Sequence, residues 1–265
     1  MRNIQPYTAK PVAARSIRNF VLVLAAPLAF AAASSTYAAE LLVSAAASLT
    51  NAFRDIGKVF EAEHVGSRVV FNFAATDVLL AQIAKGAPAD VFAAADEHAM
   101  DRAEREGLLL DGSRRDFAGN RLVLIVPVGR QQMSSLGELA LPPFGRIAMG
   151  SPRTVPAGRY AKAALDRAQL WDRIEPRCVF ALNVRQVLDY VAREEADAGF
   201  VYATDAAVMS DKVKIALDVP TATPVRYPVA VVRGSRYAGE ARAFVDLLGS
   251  EAARKILASY GFASP

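Results

Sequence analysis

The chain is poor in the residues from which most active sites are made. Its 265 residues include one cysteine, one tryptophan and two histidines. The single cysteine, Cys178, excludes an internal disulfide framework. It sits in an apolar, strand-like run, Cys178-Val-Phe-Ala181, and reads there as a buried, unreactive thiol. His64 and His98 lie in polar, helix-like contexts (AEHVG and ADEHAM), outside any recognisable catalytic motif. H-E-x-x-H, C-x-x-C and Asp-rich loops, the common metal-holding patterns, do not occur. Nor does the G-x-x-x-x-G-K-[ST] loop of nucleotide hydrolysis.

An apolar run long enough for a good transmembrane helix is missing as well. Phe20 to Ala33, FVLVLAAPLAFAAA, is too short and is interrupted by Pro27. Before it stand Arg2, Lys10, Arg15 and Arg18 with no acid, and after it comes SSTYAAE. This is the layout of a secretory signal peptide covering residues 1–38. Cleavage after Ala38 puts Thr36 and Ala38 at the two small-residue positions; cleavage after Ala39 would put bulky Tyr37 there. No cysteine follows the apolar run, so a lipid anchor is not expected.

Setting the signal aside removes the excess of positive charge. The whole chain has 31 basic and 27 acidic residues, a net +4 and an isoelectric point near 9.3. Four of the bases and none of the acids fall in residues 1–39, which leaves 27 of each. No nucleic-acid partner is indicated. Roughly 226 residues remain, enough for one large or two small domains with real cores.

What the chain does have is alternation. Strand candidates are 41–45, 69–73, 90–94, 122–126, 146–149, 177–181, 198–202, 213–217 and 228–232. Helical patterns lie between most of them, at 78–85, 97–106, 159–169 and 185–194, with two more at 238–248 and 251–259. Such a chain is an α/β protein with a parallel or mixed sheet covered on both faces.

Several strand-to-helix turns look alike. In Leu41 to Ile56, LLVSAAASLTNAFRDI, an apolar run passes through three alanines to Ser48, and helical spacing then begins with Leu49, Ala52, Phe53 and Ile56. A serine at a helix start has two uses. It caps the helix, the commoner use, or it joins the free N–H groups of the first turn in holding an anion. The turn at Phe73-Ala-Ala-Thr76-Asp77 repeats the pattern. Pro156-Ala157-Gly158 opens a third helix, and Asn183-Val184 a fourth. In open α/β sheets, ligands bind beyond the carboxyl ends of the strands, where these turns sit.

The segments AAASLTNAFRDI, QIAKGAPADVFAAAD, GNRLVLIVP, GSPRTVPAGRYAKAAL, GFVYATDA and RYPVAVV, in that order from about residue 40 to 262, resemble the periplasmic molybdate-binding proteins of bacterial ABC importers. The resemblance implies a type II periplasmic binding-protein fold: two lobes, each a mixed β-sheet flanked by helices, with the ligand clamped between them. It implies one lobe from 39–120 plus 226–265 and another from 121–225, with crossings near 119–122 and 223–228. It also implies five contacts to the oxyanion. Ser48 and Thr76 would each give a hydroxyl and an N–H, Ala157 and Val184 an N–H each, and Tyr202 its phenol. The partners implied are a membrane permease with its ATPase subunit. The chain would be a periplasmic monomer, with no catalytic activity and no cofactor beyond molybdate or tungstate as ligand.

One turn departs from that pattern: Ala75-Thr76-Asp77 stands where a serine-rich turn is expected. Asp77 facing the ligand would repel it, so it is expected to turn outward and cap the following helix. Molybdate and tungstate are tetrahedral dianions whose oxygens only accept, which suits a site made only of donors. Phosphate keeps a proton and needs an acceptor, which Asp77 could be, and sulfate differs mainly in size; either remains an alternative ligand. A secreted serine hydrolase with Ser48 as nucleophile is a remoter reading, because no base accompanies it. Tyr160, Tyr190 and Tyr227 are expected as partly buried packing residues, Trp171 as packing at a lobe surface, and Asp101, Glu104 and Glu106 as a solvated helix face.

Overall fold

The computed structural model describes residues 39–130 and 132–265. The expected signal peptide, residues 1–38, lies outside them. In chain order the strands are β1 (Ala39–Ala46), β2 (Ser67–Ala74), β3 (Val91–Ala93), β4 (Arg115–Asn120), β5 (Leu122–Pro127), β6 (Ile147–Gly150), β7 (Cys178–Ala181), β8 (Ala198–Tyr202), β9 (Val213–Val219) and β10 (Val225–Val231). The helices are α1 (Thr50–Glu63), α2 (Thr76–Ala84), α3 (Glu97–Arg105), α4 (Pro156–Arg167), α5 (Trp171–Ile174), α6 (Val184–Ala192), α7 (Ala203–Val208), α8 (Ala238–Leu248) and α9 (Glu251–Ser259).

The strands form two five-stranded mixed sheets, in the orders β2-β1-β3-β10-β4 and β7-β6-β8-β5-β9. In the first, β1 runs parallel to β2 and β3, and β10 runs antiparallel to β3 and β4. In the second, β6 is parallel to β7 and β8, and β5 is antiparallel to β8 and β9. The chain leaves the first sheet at Asn120, enters the second at Leu122, and returns between Val219 and Val225.

Helices on both faces explain why the inner strands read as unbroken apolar runs. Every residue of β5, Leu-Val-Leu-Ile-Val-Pro, is buried. So is every residue of β8. On the first sheet, α1 buries Ala52, Phe53, Ile56 and Phe60. The Phe53 ring lies 5.5 Å from Phe117 and 5.9 Å from Phe244, joining α1 to β4 and α8. A Cβ on Gly57 would come within 2.8 Å of the Phe71 ring, so α1 lies close on β2 because that position is bare.

The expected helices and strands are present with ends shifted by a few residues. Residues 115–120, whose end alone was expected as a crossing near 119–122, form a full strand. Its Arg, Asp, Gly and Asn hide it, and it is held by pairing with β10 and by a bridge from Gly119 to Ala263. Helix α4 begins at Pro156 rather than Arg159, because proline fits the first helical position, where no N–H is needed. Helix α7 was not expected; six residues are too few to show a period.

Candidate functional site

The five residues singled out from the sequence all sit at carboxyl ends of strands. Ser48 lies within a single 3₁₀ turn, Ala47–Leu49, between β1 and α1, and is 2 % exposed. It caps neither helical segment: no side chain caps the turn or α1. Its Oγ instead shares a 3.0 Å hydrogen bond with the Tyr227 phenol. Thr76 is the first residue of α2 and fully buried, and its Oγ1 accepts from the Ala95 N–H at 3.2 Å. Ala157 lies in the first turn of α4, and Val184 is the first residue of α6. Their N–H groups have no partner inside the helix. Tyr202 ends β8, 1 % exposed, and its phenol donates to the Ala95 carbonyl at 3.3 Å.

Glycine fixes the α4 turn. A Cβ on Gly158 would lie 2.0 Å from the Gly150 carbonyl oxygen, so the helix start presses on the end of β6. Asn183 fixes the α6 turn, its side chain accepting from the Gln186 N–H at 3.1 Å.

These contacts bring the turns together. Thr76 and Tyr202 meet on the two backbone groups of Ala95. The Tyr202 and Tyr227 rings pack edge-on with centroids 5.8 Å apart, and Tyr227 reaches Ser48. The remaining two turns are tied in by arginines. Arg185, next to Val184, donates to the Ser48 carbonyl at 3.2 Å and to Asn51 at 2.8 Å. Arg159, two residues after Ala157, donates to Asp77 at 2.7 Å and to Asp96 at 2.6 Å.

Four expectations need correction. Asp77 does not turn outward: it is 5 % exposed, and its two oxygens accept from Arg102 at 3.1 Å and Arg159 at 2.7 Å. Burying a carboxylate is costly unless it is paired, and two guanidinium groups meet that need. Tyr227 is not partly buried packing. It is fully buried, with its phenol also accepting from Asn120 at 3.2 Å. Cys178 is half-buried rather than buried; the desolvation it feels still pushes its thiol up to about 11. Asp101 and Glu104 do more than face water, since both pair with Arg114, at 2.6 and 2.9 Å. Trp171 is partly buried, with the Lys162 ammonium 4.8 Å from its ring centre.

Burial drives both phenols well above their ordinary range, so each stays a neutral O–H donor near neutral pH. Burial also raises Asp205, against the opposing pull of Arg185, whose Nε lies 2.6 Å from its Oδ1 without hydrogen-bond alignment. The other Asp205 oxygen accepts the Tyr202 N–H at 3.2 Å. Arg159 remains charged: burial works against it, but Asp96 and Asp77 outweigh that cost and its pKa is raised. The result is a cluster of hydroxyl, phenol and first-turn N–H donors, with two arginines nearby whose charges are met by aspartates.

Neither histidine serves Ser48. His64 stacks on Phe60 with centroids 4.1 Å apart at the end of α1, and His98 is exposed on α3. A cavity of about 580 Å³ lies elsewhere, at the amino ends of β1 and β3. Its buried Asp90 is already engaged by the Leu42 N–H at 2.7 Å and the Ser235 hydroxyl at 2.6 Å.

Residues 41–263 match the family described as bacterial extracellular solute-binding protein. Over 250 residues, 91 % of this chain and 96 % of its relative, the sequence is 41 % identical to the molybdate-binding protein ModA of Escherichia coli (strain K12). The fold superposes on the periplasmic molybdate-binding protein of Azotobacter vinelandii with a TM-score of 0.74 and 26 % identity, covering 85 % of this chain and 99 % of that one. The sulfate-binding protein SubI of Mycobacterium tuberculosis reaches 0.73 at 18 % identity, over 85 % and 87 % of the two chains, which shows the shared fold alone. The chain belongs to the bacterial extracellular solute-binding proteins, among the relatives of ModA, a family of binding proteins rather than enzymes.

Proposed function

We propose that the chain captures molybdate, and tungstate with it, in the periplasm and delivers it to the permease and ATPase of an ABC importer. It does so as a monomer of two lobes, residues 39–120 with 226–265 and residues 121–225. The ligand lies between them, on Ser48, Thr76, Ala157, Val184 and Tyr202. The observation that carries this reading is the meeting of the Ser48 and Thr76 turns of the first sheet with Tyr202 of the second around two buried, neutral phenols. A tetrahedral dianion accepts at every oxygen, and each hydrogen bond to a charged group contributes about 1.5–3 kcal/mol. Five such bonds total about 7.5–15 kcal/mol gross, compatible with micromolar or tighter binding after the costs of ordering.

Asp77 bears on the choice of ion. Both its oxygens are taken by arginines. It is therefore held by guanidinium groups rather than presented as a dedicated acceptor for the proton that phosphate carries, which favours a fully deprotonated dianion. The test is thermal unfolding of the protein with molybdate, tungstate, sulfate and phosphate. A ligand at a hundred times its dissociation constant adds about 2.7 kcal/mol of stability. Stabilisation by molybdate and tungstate is expected; stabilisation by sulfate or phosphate instead would overturn the ligand assigned.

A further inference from the structure

The two arginines beside the donor turns are balanced in different ways. Arg185 finds its counter-charge, Asp205, on its own sheet's side of the molecule. What it reaches on the other side, the Ser48 carbonyl and Asn51, is neutral. Arg159 is the opposite case. It stands on α4 with the second sheet, and its carboxylate partners, Asp77 on α2 and Asp96 at the head of α3, belong to the first. Each aspartate also has a partner on its own side: Asp77 accepts from Arg102, and Asp96 from the Ala99 N–H at 3.2 Å. Without Arg159, the first side would carry uncancelled negative charge immediately beside Thr76, since Arg102, the cation left to Asp77, also pairs with Glu106 at 3.5 Å.

The two ends of the pairing differ in exposure. The aspartate side chains are 4 and 5 % exposed and held by their own neighbours, whereas Arg159 is 22 % exposed. It borders an open groove of about 410 Å³ also lined by His98, Tyr160, Lys162 and Thr223. The guanidinium is thus within reach of water, while the carboxylates are held by protein partners on their own side.

We propose that Arg159 is a positioning residue that makes oxyanion binding conditional on closure. With the sides apart, the charge on Asp77 and Asp96 discourages a dianion from settling on the Thr76 turn. As they meet, Arg159 cancels that charge and ties the Ala157 turn to the Thr76 turn. The ligand is then held by a closed pair of turns and leaves only when Arg159 lets go. This rests on the oxyanion reading above.

The test measures association and dissociation of molybdate for the purified protein and for Arg159→Met, Arg159→Lys and Asp77→Asn/Arg159→Met. Arg159→Met should speed dissociation by about tenfold or more, the equivalent of ~1.4 kcal/mol, with association changed far less. Arg159→Lys keeps the charge without the fork and should recover part of the loss. The double variant, with the repelling charge also gone, should recover affinity relative to Arg159→Met alone. Raising salt from about 0.01 M to about 1 M shrinks the screening length from about 30 Å to about 3 Å and should speed release from the native protein more than from Arg159→Met. Release from Arg159→Met as slow as from the native protein would overturn the proposal, as would a double variant no better than the single one. If Arg159→Met does not fold, the double variant compared with Asp77→Asn carries the same test. A native protein that binds none of the four oxyanions would instead remove the functional reading. The latch is then read from solution scattering, where Arg159→Met must be more extended than the native protein and an unchanged profile overturns it.

Discussion

Ser48 and Thr76 show how a small polar side chain changes meaning with burial. Exposed at a helix start, a hydroxyl stabilises its own helix. Here both are buried and turned toward partners in other elements, Tyr227 and Ala95. Replacing either with alanine should leave its helix in place and weaken molybdate binding by roughly tenfold or more, through loss of a charge-assisted hydrogen bond. Calorimetry checks this, and unchanged affinity in both variants would remove the site assignment. Cys178 gives a pH prediction. With its thiol pushed up to about 11 by burial, roughly one molecule in a thousand carries the thiolate at pH 8. Alkylation should be slow there and should quicken tenfold per pH step, which timed thiol labelling reads. Folding holds that proton more tightly than the unfolded chain does, so the thiol's contribution to stability is complete below pH 9 and lost as pH rises toward 11.

At the scale of the element, the strand-turn-helix units were legible because their signal is local. An apolar run, a few small residues and a switch to helical spacing all fit within about fifteen residues, as at Leu41 to Ile56. Strand β4 was read only in part because its stability comes from a partner strand rather than its own residues. The direction of Asp77 and the role of Tyr227 were not legible for the same reason carried further: their partners are 82 and 179 positions away. A local rule for Asp77 pointed to capping, and a tertiary ion pair prevailed. The α4 start offers a test at this scale. Gly158→Ala would drive a Cβ into the Gly150 carbonyl and must push the helix start off β6. Stability should fall by about 1–3 kcal/mol. Molybdate affinity should fall with it, since the Ala157 N–H moves; melting and calorimetry on the same variant check both.

At the scale of the whole molecule, β10 has a consequence for the order of assembly. It is inserted between β3 and β4, so the first sheet is in two pieces until the chain has been made past Val231. The second sheet draws its strands from one unbroken stretch, Leu122 to Val219. A chain delivered from its amino end can therefore finish the later sheet before the earlier one, and the first residues to appear wait for almost the last. Pairing across such separations is slow. In pulse-labelling hydrogen exchange during refolding, amides of β5 and β8 should gain protection ahead of those of β3. Simultaneous protection would mean that the two sheets assemble as a single cooperative unit.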